Sequence, residues 1–149
     1  MAETIPIAAD HAGFEMKERL VKELSALGYE PLDLGTHSPE SVDYAGFAHQ
    51  VAQRVAHGVN ARGILLCGTG LGMSYAANRY HGVRAAVVWS PVVAHLAREH
   101  NDANVLVLPA RCLDQEEGVA ILKEWLTTPF AGGRHARRVA QIEETGLDA

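Results

Sequence analysis

The sequence has few of the features that mark secreted, membrane-spanning or nucleic-acid-binding proteins. It contains only two cysteines, Cys67 and Cys112, and no disulfide framework is expected from them. No apolar run approaches the ~20 residues that span a bilayer, and residues 1–6 carry Glu3 and no basic residue, unlike a secretory signal. The 13 basic and 18 acidic residues are interspersed, without a Lys/Arg block. We therefore expect a cytoplasmic protein that binds neither nucleic acid nor a membrane.

Common metal-binding and nucleotide-binding motifs are also missing. The eight histidines form no HExxH pattern, and His95 and His100, five residues apart, do not share a helical face. The glycine-rich segment 68–72 fails the dinucleotide fingerprint, because Met73 stands where the third glycine belongs. No Lys-Ser or Lys-Thr pair follows the glycines, as the phosphate-binding loop of ATPases requires. The sequence thus predicts no metal site and disfavours both NAD and ATP.

What the sequence does have is a regular alternation of short apolar runs and amphipathic stretches. Strands are predicted at residues 5–9, 29–34, 63–67, 83–89 and 105–108, and helices at 14–27, 47–57, 73–79, 92–99, 118–126 and 135–144. This alternation needs crossover helices on both faces of a sheet, which makes the strands parallel and buried. With 149 residues, the chain can bury one sizeable core. We predict a single α/β domain over residues 1–149, an open sandwich around a five-stranded sheet.

The first and last predicted helices differ in character. In the first, apolar residues such as Leu20 and Leu24 recur at helical spacing, and Lys17 is expected with other charged residues on the solvent face. The last helix follows Pro129 and the pair Gly132 and Gly133. Because such a break lets a helix leave the body of a domain, we expect the last helix to pack on another subunit.

Candidate functional residues follow the first and third strands. Ligands of open parallel sheets bind beyond the carboxyl ends of the strands, where Asp10 and His11 follow the first strand and the glycine-rich turn follows Cys67. A glycine-rich turn into a helix exposes backbone N–H groups at the positive end of the helix dipole, which favours a phosphate or a developing oxyanion. The same dipole would stabilise a thiolate, so Cys67 is a candidate base. Cys112 has no comparable setting and is predicted to be structural.

Each candidate also has a purely structural interpretation. The glycine turn could simply allow close packing, Asp10 could cap the first helix, and Cys67 could be a small buried hydrophobe. The three polar residues that begin at His100 could be a solvated turn. Arg134 and Arg138 lie four residues apart and share a helix face, which suits either a phosphate dianion or solvent. These alternatives stay open on the residues alone.

Six segments form a recognisable set, in order along nearly the whole chain: residues 9–14, 43–44, 67–72, 76–78, 98–104 and 132–135. In these segments the chain resembles the family of type B ribose-5-phosphate isomerases and galactose-6-phosphate isomerase subunits. The resemblance implies a three-layer, Rossmann-like sandwich that forms a homodimer or a dimer of dimers, with active sites at the subunit interface. It also implies a sugar-phosphate substrate and no cofactor.

The resemblance further implies roles for individual residues. Cys67 is the base that moves a proton between C1 and C2 through a cis-enediolate, whose oxygens are held by Thr69 and the loop that follows it. His100 opens the sugar ring with help from Asp10. One branch of the family uses a glutamate where this chain has Met73, so the chain falls in the cysteine branch. The remaining predicted binding residues are His11, Tyr44, Gly68, Gly70, Leu71, Gly72, Ser74, Asn101, Arg111, Arg134 and Arg138, some of them supplied by a neighbouring subunit.

The function that the resemblance implies is the interconversion of ribose 5-phosphate and ribulose 5-phosphate. Another sugar phosphate, such as allose 6-phosphate, galactose 6-phosphate or a tetrose phosphate, stays open as the substrate. A flavodoxin-like module that binds a phosphate or nucleotide without catalysis stays open as a second class. Trp89, after the fourth strand, is more typical of a core residue than of a pocket wall.

Overall fold

The structure, a computed structural model, describes residues 1–144. Its strands are β1 (Thr4–Ala9), β2 (Glu30–Asp33), β3 (Gly63–Cys67), β4 (Ala85–Val87) and β5 (Val105–Pro109). Its helices are α1 (Phe14–Ala26), α2 (Ala45–Ala56), α3 (Leu71–Ala77), α4 (Pro91–Glu99), α5 (Gln115–Thr127) and α6 (Arg134–Ile142). The predicted α/β class is confirmed, while residues 145–149 of the predicted domain lie outside the described part. Within residues 1–144, no helix is long and apolar enough to cross a membrane.

The strands form one parallel sheet in the order β2-β1-β3-β5-β4. Strand β3 lies at the centre, and its five residues pair with β5 from Gly63 opposite Val105 to Cys67 opposite Pro109. All strands therefore begin at one edge, which we call the amino edge, and end at the other, the carboxyl edge. The residues that follow β1, β3 and β5 are neighbours at the carboxyl edge.

Helices cover both faces of this sheet and create two apolar layers. In β3, Ile64 and Leu66 belong to the layer shared with α1, α4 and α5, whereas Leu65 and Cys67 belong to the layer shared with α2 and α3. This follows from the period of two along a strand. Cys67 is thus the last residue of β3 and belongs to the α2/α3 layer, directly below the start of α3.

Lys17 lies in the interior, and the expectation that it faces solvent is wrong. Its side chain is fully buried, and its Nζ lies 2.8 Å from the Asp33 carboxylate and 2.9 Å from Glu18. A buried ammonium needs such partners. Asp33 also accepts a hydrogen bond from the N–H of Gly35 at 3.0 Å. Lys17 therefore ties α1 to the end of β2, a long-range pairing that helical spacing does not reveal.

A further expectation about side-chain burial is also wrong. Trp89, expected in the core, is 60% exposed just after β4, although the preceding Val88 is buried. The chain leaves the sheet at this point, so apolar composition alone overestimated the burial of Trp89. Cys112 is an exposed free thiol, and its structural role stays a prediction.

Helix α6 lies against the amino edge, with no buried side chain of its own. The N–H of Ala131, just ahead of it, donates to the Glu99 carbonyl at 3.0 Å. At its other end, the Glu143 carboxylate contacts Arg84 at 2.8 Å and accepts from the N–H of Gly82 at 2.9 Å. Burial opposes ionisation of Glu143, but these two partners outweigh it and lower its pKa. Both ends of α6 are thus held by its own chain, and its packing on a partner stays a prediction.

Candidate active site

The turn after β1 holds a carboxylate at the carboxyl edge. Asp10 is buried, and its Oδ1 accepts hydrogen bonds from the N–H groups of Ala12 at 3.0 Å and Gly13 at 3.2 Å. Gly13, rather than Asp10, is the residue that caps α1. A Cβ on Gly13 would lie 2.6 Å from the Leu66 Cβ, so only glycine lets this turn approach β3. Asp10 therefore braces the turn before α1, and its carboxylate is fixed by backbone beside β3.

The turn after β3 surrounds a thiol with backbone N–H groups. Cys67 is buried, and the backbone N–H groups of Met73, Gly70 and Thr69 favour its ionised form and lower its pKa. Gly70 has a φ of 78°, which favours glycine and turns the chain into α3 at Leu71, two residues earlier than predicted. The arrangement is an anion-binding turn with the sulfur inside it.

The pKa of Cys67 is nevertheless raised. Burial is the largest influence and raises it, the three backbone N–H groups lower it, and the negative charge of Asp10 raises it again. The expected stabilisation of a thiolate by the start of α3 is therefore present but outweighed in the free chain. This corrects the electrostatic expectation, since burial and the negative charge of Asp10 both raise the pKa of the thiol.

Hydroxyl groups of the same turn differ in their availability. Thr69 is exposed, and its Oγ1 accepts from the N–H of Leu71 at 3.3 Å, which leaves its own proton free for a ligand. Ser74 is buried, and its hydroxyl already donates to the Leu71 carbonyl at 2.7 Å. Thr69 is therefore the better donor to a substrate oxygen, and Ser74 chiefly stiffens α3.

Tyr44 and Arg111 lie against two glycines of this turn. A Cβ on Gly72 would overlap the Tyr44 ring, and a Cβ on Gly68 would lie 3.2 Å from an Arg111 guanidinium nitrogen. The backbone N–H of Arg111 also donates to the Gly68 carbonyl at 3.0 Å. Both glycines thus make room for a larger side chain, which brings one hydroxyl and one positive charge to the rim.

His11 is held in one tautomer by the backbone. The N–H of Val42 donates to its Nδ1 at 3.2 Å. Because a backbone N–H can only donate, Nδ1 carries no proton here, and the proton of the neutral ring is on Nε2. His11 therefore presents an N–H donor and fastens the loop that leads to Tyr44.

The other predicted residues lie at the opposite edge of the sheet. His100 caps the end of α4, shortly before β5 begins, and the N–H of Gly63, the first residue of β3, donates to the Asn104 carbonyl at 2.9 Å. Strand β3 has five residues, which separates the two edges by roughly 15 Å. Asn101 lines a groove of about 550 Å³ at this edge, together with Ile142.

Arg134 and Arg138 accompany His100 at the amino edge. The ring of His135, which lies between them in α6, stacks on His100 with centroids 4.3 Å apart and planes 13° apart. Burial lowers the pKa of His135, and the charges of His100, Arg134 and Arg138 lower it further. The two arginines are exposed, so their charge faces solvent in a single copy of the chain.

The structure therefore divides the predicted site into two clusters. The carboxyl-edge cluster contains Asp10, His11, Tyr44, Cys67, Gly68, Thr69, Gly70, Leu71, Gly72, Ser74 and Arg111. The amino-edge cluster contains His100, Asn101, Arg134 and Arg138. A single copy does not bring these clusters together. Among residues 1–144, no group of three or more His, Cys, Asp or Glu side chains is arranged to hold a metal ion.

Sequence reasoning missed two residues that contact His100 and one that supports them. Glu99 and His135 touch the His100 ring, and His95 contacts Glu99. A signal existed, since His95 and Glu99 have the i,i+4 spacing that pairs side chains on a helix. His135 lies in one of the segments that carried the resemblance, although no role followed from its position.

The carboxyl-edge cluster combines a buried thiol, a nearby carboxylate and a turn of backbone N–H groups. A thiol can move a carbon-bound proton, and backbone N–H groups can stabilise the oxyanion that forms. Such a cluster at the carboxyl edge of a parallel sheet suits the class of aldose–ketose isomerases. In agreement, residues 5–142 match the model of the family described as Ribose/Galactose Isomerase. The chain belongs to this family and is an aldose–ketose isomerase.

Individual relatives agree with this assignment. The chain is 45% identical to ribose-5-phosphate isomerase B of Escherichia coli over 138 residues, which is 93% of each chain. The crystal structure of a ribose 5-phosphate isomerase from Thermotoga maritima is 51% identical, with a TM-score of 0.93, and the match covers 97% of this chain and 100% of that one. A Mycoplasma genitalium ribose-5-phosphate isomerase B with bound ribulose-5-phosphate is 40% identical, with a TM-score of 0.92 over 96% and 95% of the two chains.

Proposed function

We propose that this enzyme interconverts ribose 5-phosphate and ribulose 5-phosphate, with Cys67 as the base. The observation that carries the proposal is the place of Cys67, buried at the end of β3 and directly before the glycine turn that starts α3, where backbone N–H groups lower its pKa and the charge of Asp10 raises it. A relative of this fold binds ribulose-5-phosphate, which supports the choice of substrate. One branch of the family uses a glutamate as the base, but this chain has Met73 at that position. The turn after β3 therefore offers no other titratable side chain for the role.

The active site of the proposal is built from two copies of the chain. The carboxyl-edge cluster has the base but few positive charges, and the amino-edge cluster has charges and a histidine but no base. A two-fold dimer would bring each cluster against the other and create two equal sites. Four side chains then hold the phosphate: His11 and Arg111 from one copy, and Arg134 and Arg138 from the other. Asn101 and Tyr44 orient the sugar hydroxyls.

The reaction begins with ring opening. His100 gives a proton to the ring oxygen, Asp10 accepts the proton of the C1 hydroxyl, and the bond between C1 and the ring oxygen breaks to leave the open-chain aldehyde. The Cys67 thiolate then removes the C2 proton, and the electron pair moves to the carbonyl oxygen to form a cis-enediolate. Thr69 and the backbone N–H groups of the turn stabilise its oxygens. The proton of the C2 hydroxyl moves to the C1 oxygen, and return of the carbon-bound proton from Cys67 to C1 leaves a carbonyl at C2 and completes the ketose.

The raised pKa of Cys67 fits this order of events. Part of the rise comes from the negative charge of Asp10. When Asp10 accepts a proton during ring opening, this repulsion disappears, and the thiolate becomes easier to form. Ring opening therefore prepares the base for the step that follows. A thiol base also requires a reducing compartment, which supports the cytoplasm as the proposed location.

Two alternatives bear differently on the proposal. A module that binds phosphate without catalysis is disfavoured by membership of an isomerase family. A different sugar phosphate stays open, because one methylene or one misplaced hydroxyl changes binding by only about 1–3 kcal/mol in a tolerant pocket.

The test is an assay with ribose 5-phosphate, allose 6-phosphate, galactose 6-phosphate and erythrose 4-phosphate. We expect the highest kcat/KM with ribose 5-phosphate. In deuterated water, a single base that serves both carbons introduces deuterium at C2 of ribose 5-phosphate during turnover of ribulose 5-phosphate. A higher kcat/KM for another sugar phosphate would overturn the substrate assignment. Isomerisation that introduces no deuterium at C2 would count against a thiol base that exchanges its proton with solvent.

A further inference from the structure

Three side chains, Glu124, His95 and Glu99, form a continuous chain of contacts behind His100. The Nδ1 of His95 lies 2.9 Å from a Glu124 carboxylate oxygen, and its Nε2 lies 2.8 Å from Glu99. Because both ring nitrogens face carboxylates, both must donate, and the imidazolium form fits this environment. In agreement, the hydrogen bonds of Glu124 and then Glu99 raise the pKa of His95. A positive His95 therefore fixes Glu99 from one side and links α4 to α5.

Glu99 uses its second oxygen for His100. Its Oε1 lies 3.4 Å from the Nε2 of His100, while Oε2 is the atom that contacts His95. The backbone of Glu99 is also held, since its carbonyl accepts from the N–H of Ala131. The face of the His100 ring packs on His135 at 4.3 Å. The ring is thus constrained at one edge by a carboxylate and at one face by a parallel ring.

We propose that Glu99, anchored by His95, is a positioning residue that aims the His100 ring for opening of the sugar ring. The inference rests on the proposed role of His100. With Nε2 directed at Glu99 and one face against His135, Nδ1 is the ring nitrogen left to exchange a proton with the substrate. His100 stands at the end of a helix, so without these contacts its ring would rotate freely and aim poorly.

The experiment compares two substrates that differ only in their need for ring opening. Ribose 5-phosphate closes into a furanose, whereas its 4-deoxy analogue lacks the hydroxyl that closes the ring and stays an open-chain aldehyde. In Glu99→Gln, the amide keeps an oxygen for His95 but turns a donor toward His100. We expect kcat/KM for ribose 5-phosphate to fall about 10-fold to 100-fold, as for partners that orient a reactive group. Turnover of the 4-deoxy analogue should stay near that of the unmodified enzyme and serve as a check of folding.

Three further variants sharpen the result. Glu15 is an exposed carboxylate on α1, and Glu15→Gln is the matched control. It should leave kcat/KM for both substrates unchanged. His135→Phe keeps a flat ring against His100 and should retain more ribose 5-phosphate turnover than His135→Ala. Glu124→Gln weakens the hold on His95 and does not touch Glu99 or His100 directly, so the fall in kcat/KM should be selective for ribose 5-phosphate but smaller than in Glu99→Gln.

His100→Ala separates this inference from the proposed function. It should show the same selective loss with ribose 5-phosphate, to a greater extent. If His100→Ala is selective and Glu99→Gln is not, either because both substrates suffer equally or because neither does, Glu99 is not a positioning residue. If His100→Ala itself impairs both substrates equally, His100 does not open the ring, and the inference about Glu99 fails with it.

Discussion

The two edges of the sheet are built in opposite ways. At the carboxyl edge, the polar atoms around Cys67 and Asp10 are backbone N–H groups, and both side chains are buried. At the amino edge, His100 ends α4, and the Arg134 and Arg138 side chains of α6 are exposed to solvent. A backbone-lined pocket is rigid within one chain, whereas exposed long side chains acquire a fixed geometry only against a partner surface. The carboxyl edge therefore has a fixed geometry within one copy, whereas the exposed arginines of the amino edge need a partner surface to fix theirs.

Charge follows the same division. The carboxyl edge combines a buried carboxylate with a thiol whose pKa is raised, so a second anion there is unfavourable without added positive charge. The amino edge holds two arginines of α6 that the chain does not bury. In the proposed dimer, a phosphate dianion contacts both edges, and the two arginines of α6 supply most of the positive charge. The predictions below test this division.

The largest expected effect is at the carboxyl edge, in Cys67→Ser. Serine keeps the shape but is scarcely ionised at neutral pH, so turnover should fall by about 10²–10⁴, the range for loss of a general base. Binding should remain, because the backbone N–H groups and Arg111 are untouched. The measurement is kcat for ribose 5-phosphate with KM or product inhibition as the check on binding. Near-normal turnover in Cys67→Ser would make Cys67 a packing residue.

The second cysteine supplies the control for this prediction. Cys112 is exposed and free, so it will react with iodoacetamide as well. In Cys112→Ser, inactivation by iodoacetamide should persist and should be slowed by substrate. In Cys67→Ser, alkylation of Cys112 should leave the residual activity unchanged.

The second prediction tests whether each active site combines the carboxyl edge of one copy with the amino edge of another. Cys67→Ser and His100→Ala are each nearly inactive, but a mixed dimer has one site with both defects and one with neither. Random pairing of equal amounts should therefore restore about a quarter of the activity of the unmodified dimer. Co-refolding followed by the ribose 5-phosphate assay measures the recovery. A mixture of Cys67→Ser with the double variant is the control, and no recovery in the test mixture would mean that each site lies within one chain.

The third prediction concerns phosphate at the amino edge. Arg134→Ala and Arg138→Ala should each weaken substrate binding, since a charge-assisted contact contributes about 1.5–3 kcal/mol, or roughly 10-fold to 150-fold in KM. Inorganic phosphate should inhibit the unmodified enzyme competitively and these variants much less. Arg137→Ala, on a neighbouring face of α6, is the matched control. Equal inhibition of all four proteins would contradict a phosphate role for the pair.

The sequence predicted the parts of the site but not their separation. Five apolar runs and the residues after them were sufficient for the parallel sheet and for the position of Asp10 and Cys67, because a buried strand needs a continuous apolar run. His100 follows a helix and precedes a strand, which assigns it to the amino edge of a parallel sheet. The resemblance implied active sites at a subunit interface but not which residues belong to the same copy, and the fold divides them into the two clusters.

Other features depended on long-range contacts that local patterns do not encode. The exchange of β4 and β5 in the strand order is a choice among packings, and no residue spacing signals it. Helical spacing assigns Lys17 to a charged face, and only the fold brings Asp33, 16 residues away, beside it. The raised pKa of Cys67 reflects burial and the proximity of Asp10, both of which are properties of the assembled structure.

The fourth prediction uses pH to compare the two influences on the thiol. Because burial and Asp10 raise the pKa of Cys67, the thiolate fraction in the free enzyme should keep growing above about pH 8.5, the ordinary value for a thiol. In the Cys112→Ser background, the rate of alkylation by iodoacetamide should follow that curve. Asp10→Asn removes one of the two causes and should move the midpoint to lower pH. A midpoint that is unchanged in Asp10→Asn would mean that burial alone sets the pKa.

The smallest expected effect tests how closely the carboxyl edge is packed. A Cβ on Gly13 would lie 2.6 Å from the Leu66 Cβ and 2.8 Å from the Leu66 carbonyl oxygen, and a strand backbone cannot yield as a flexible side chain would. Gly13→Ala should therefore lower the free energy of unfolding by about 1–3 kcal/mol. Gly46→Ala is the contrast, because nothing lies within 4 Å of its Cβ and alanine is the better helix former, which should stabilise α2 by up to about 1 kcal/mol. Urea unfolding measures both changes, and a Gly13→Ala variant as stable as the unmodified chain would mean that the turn bearing Asp10 is free to move.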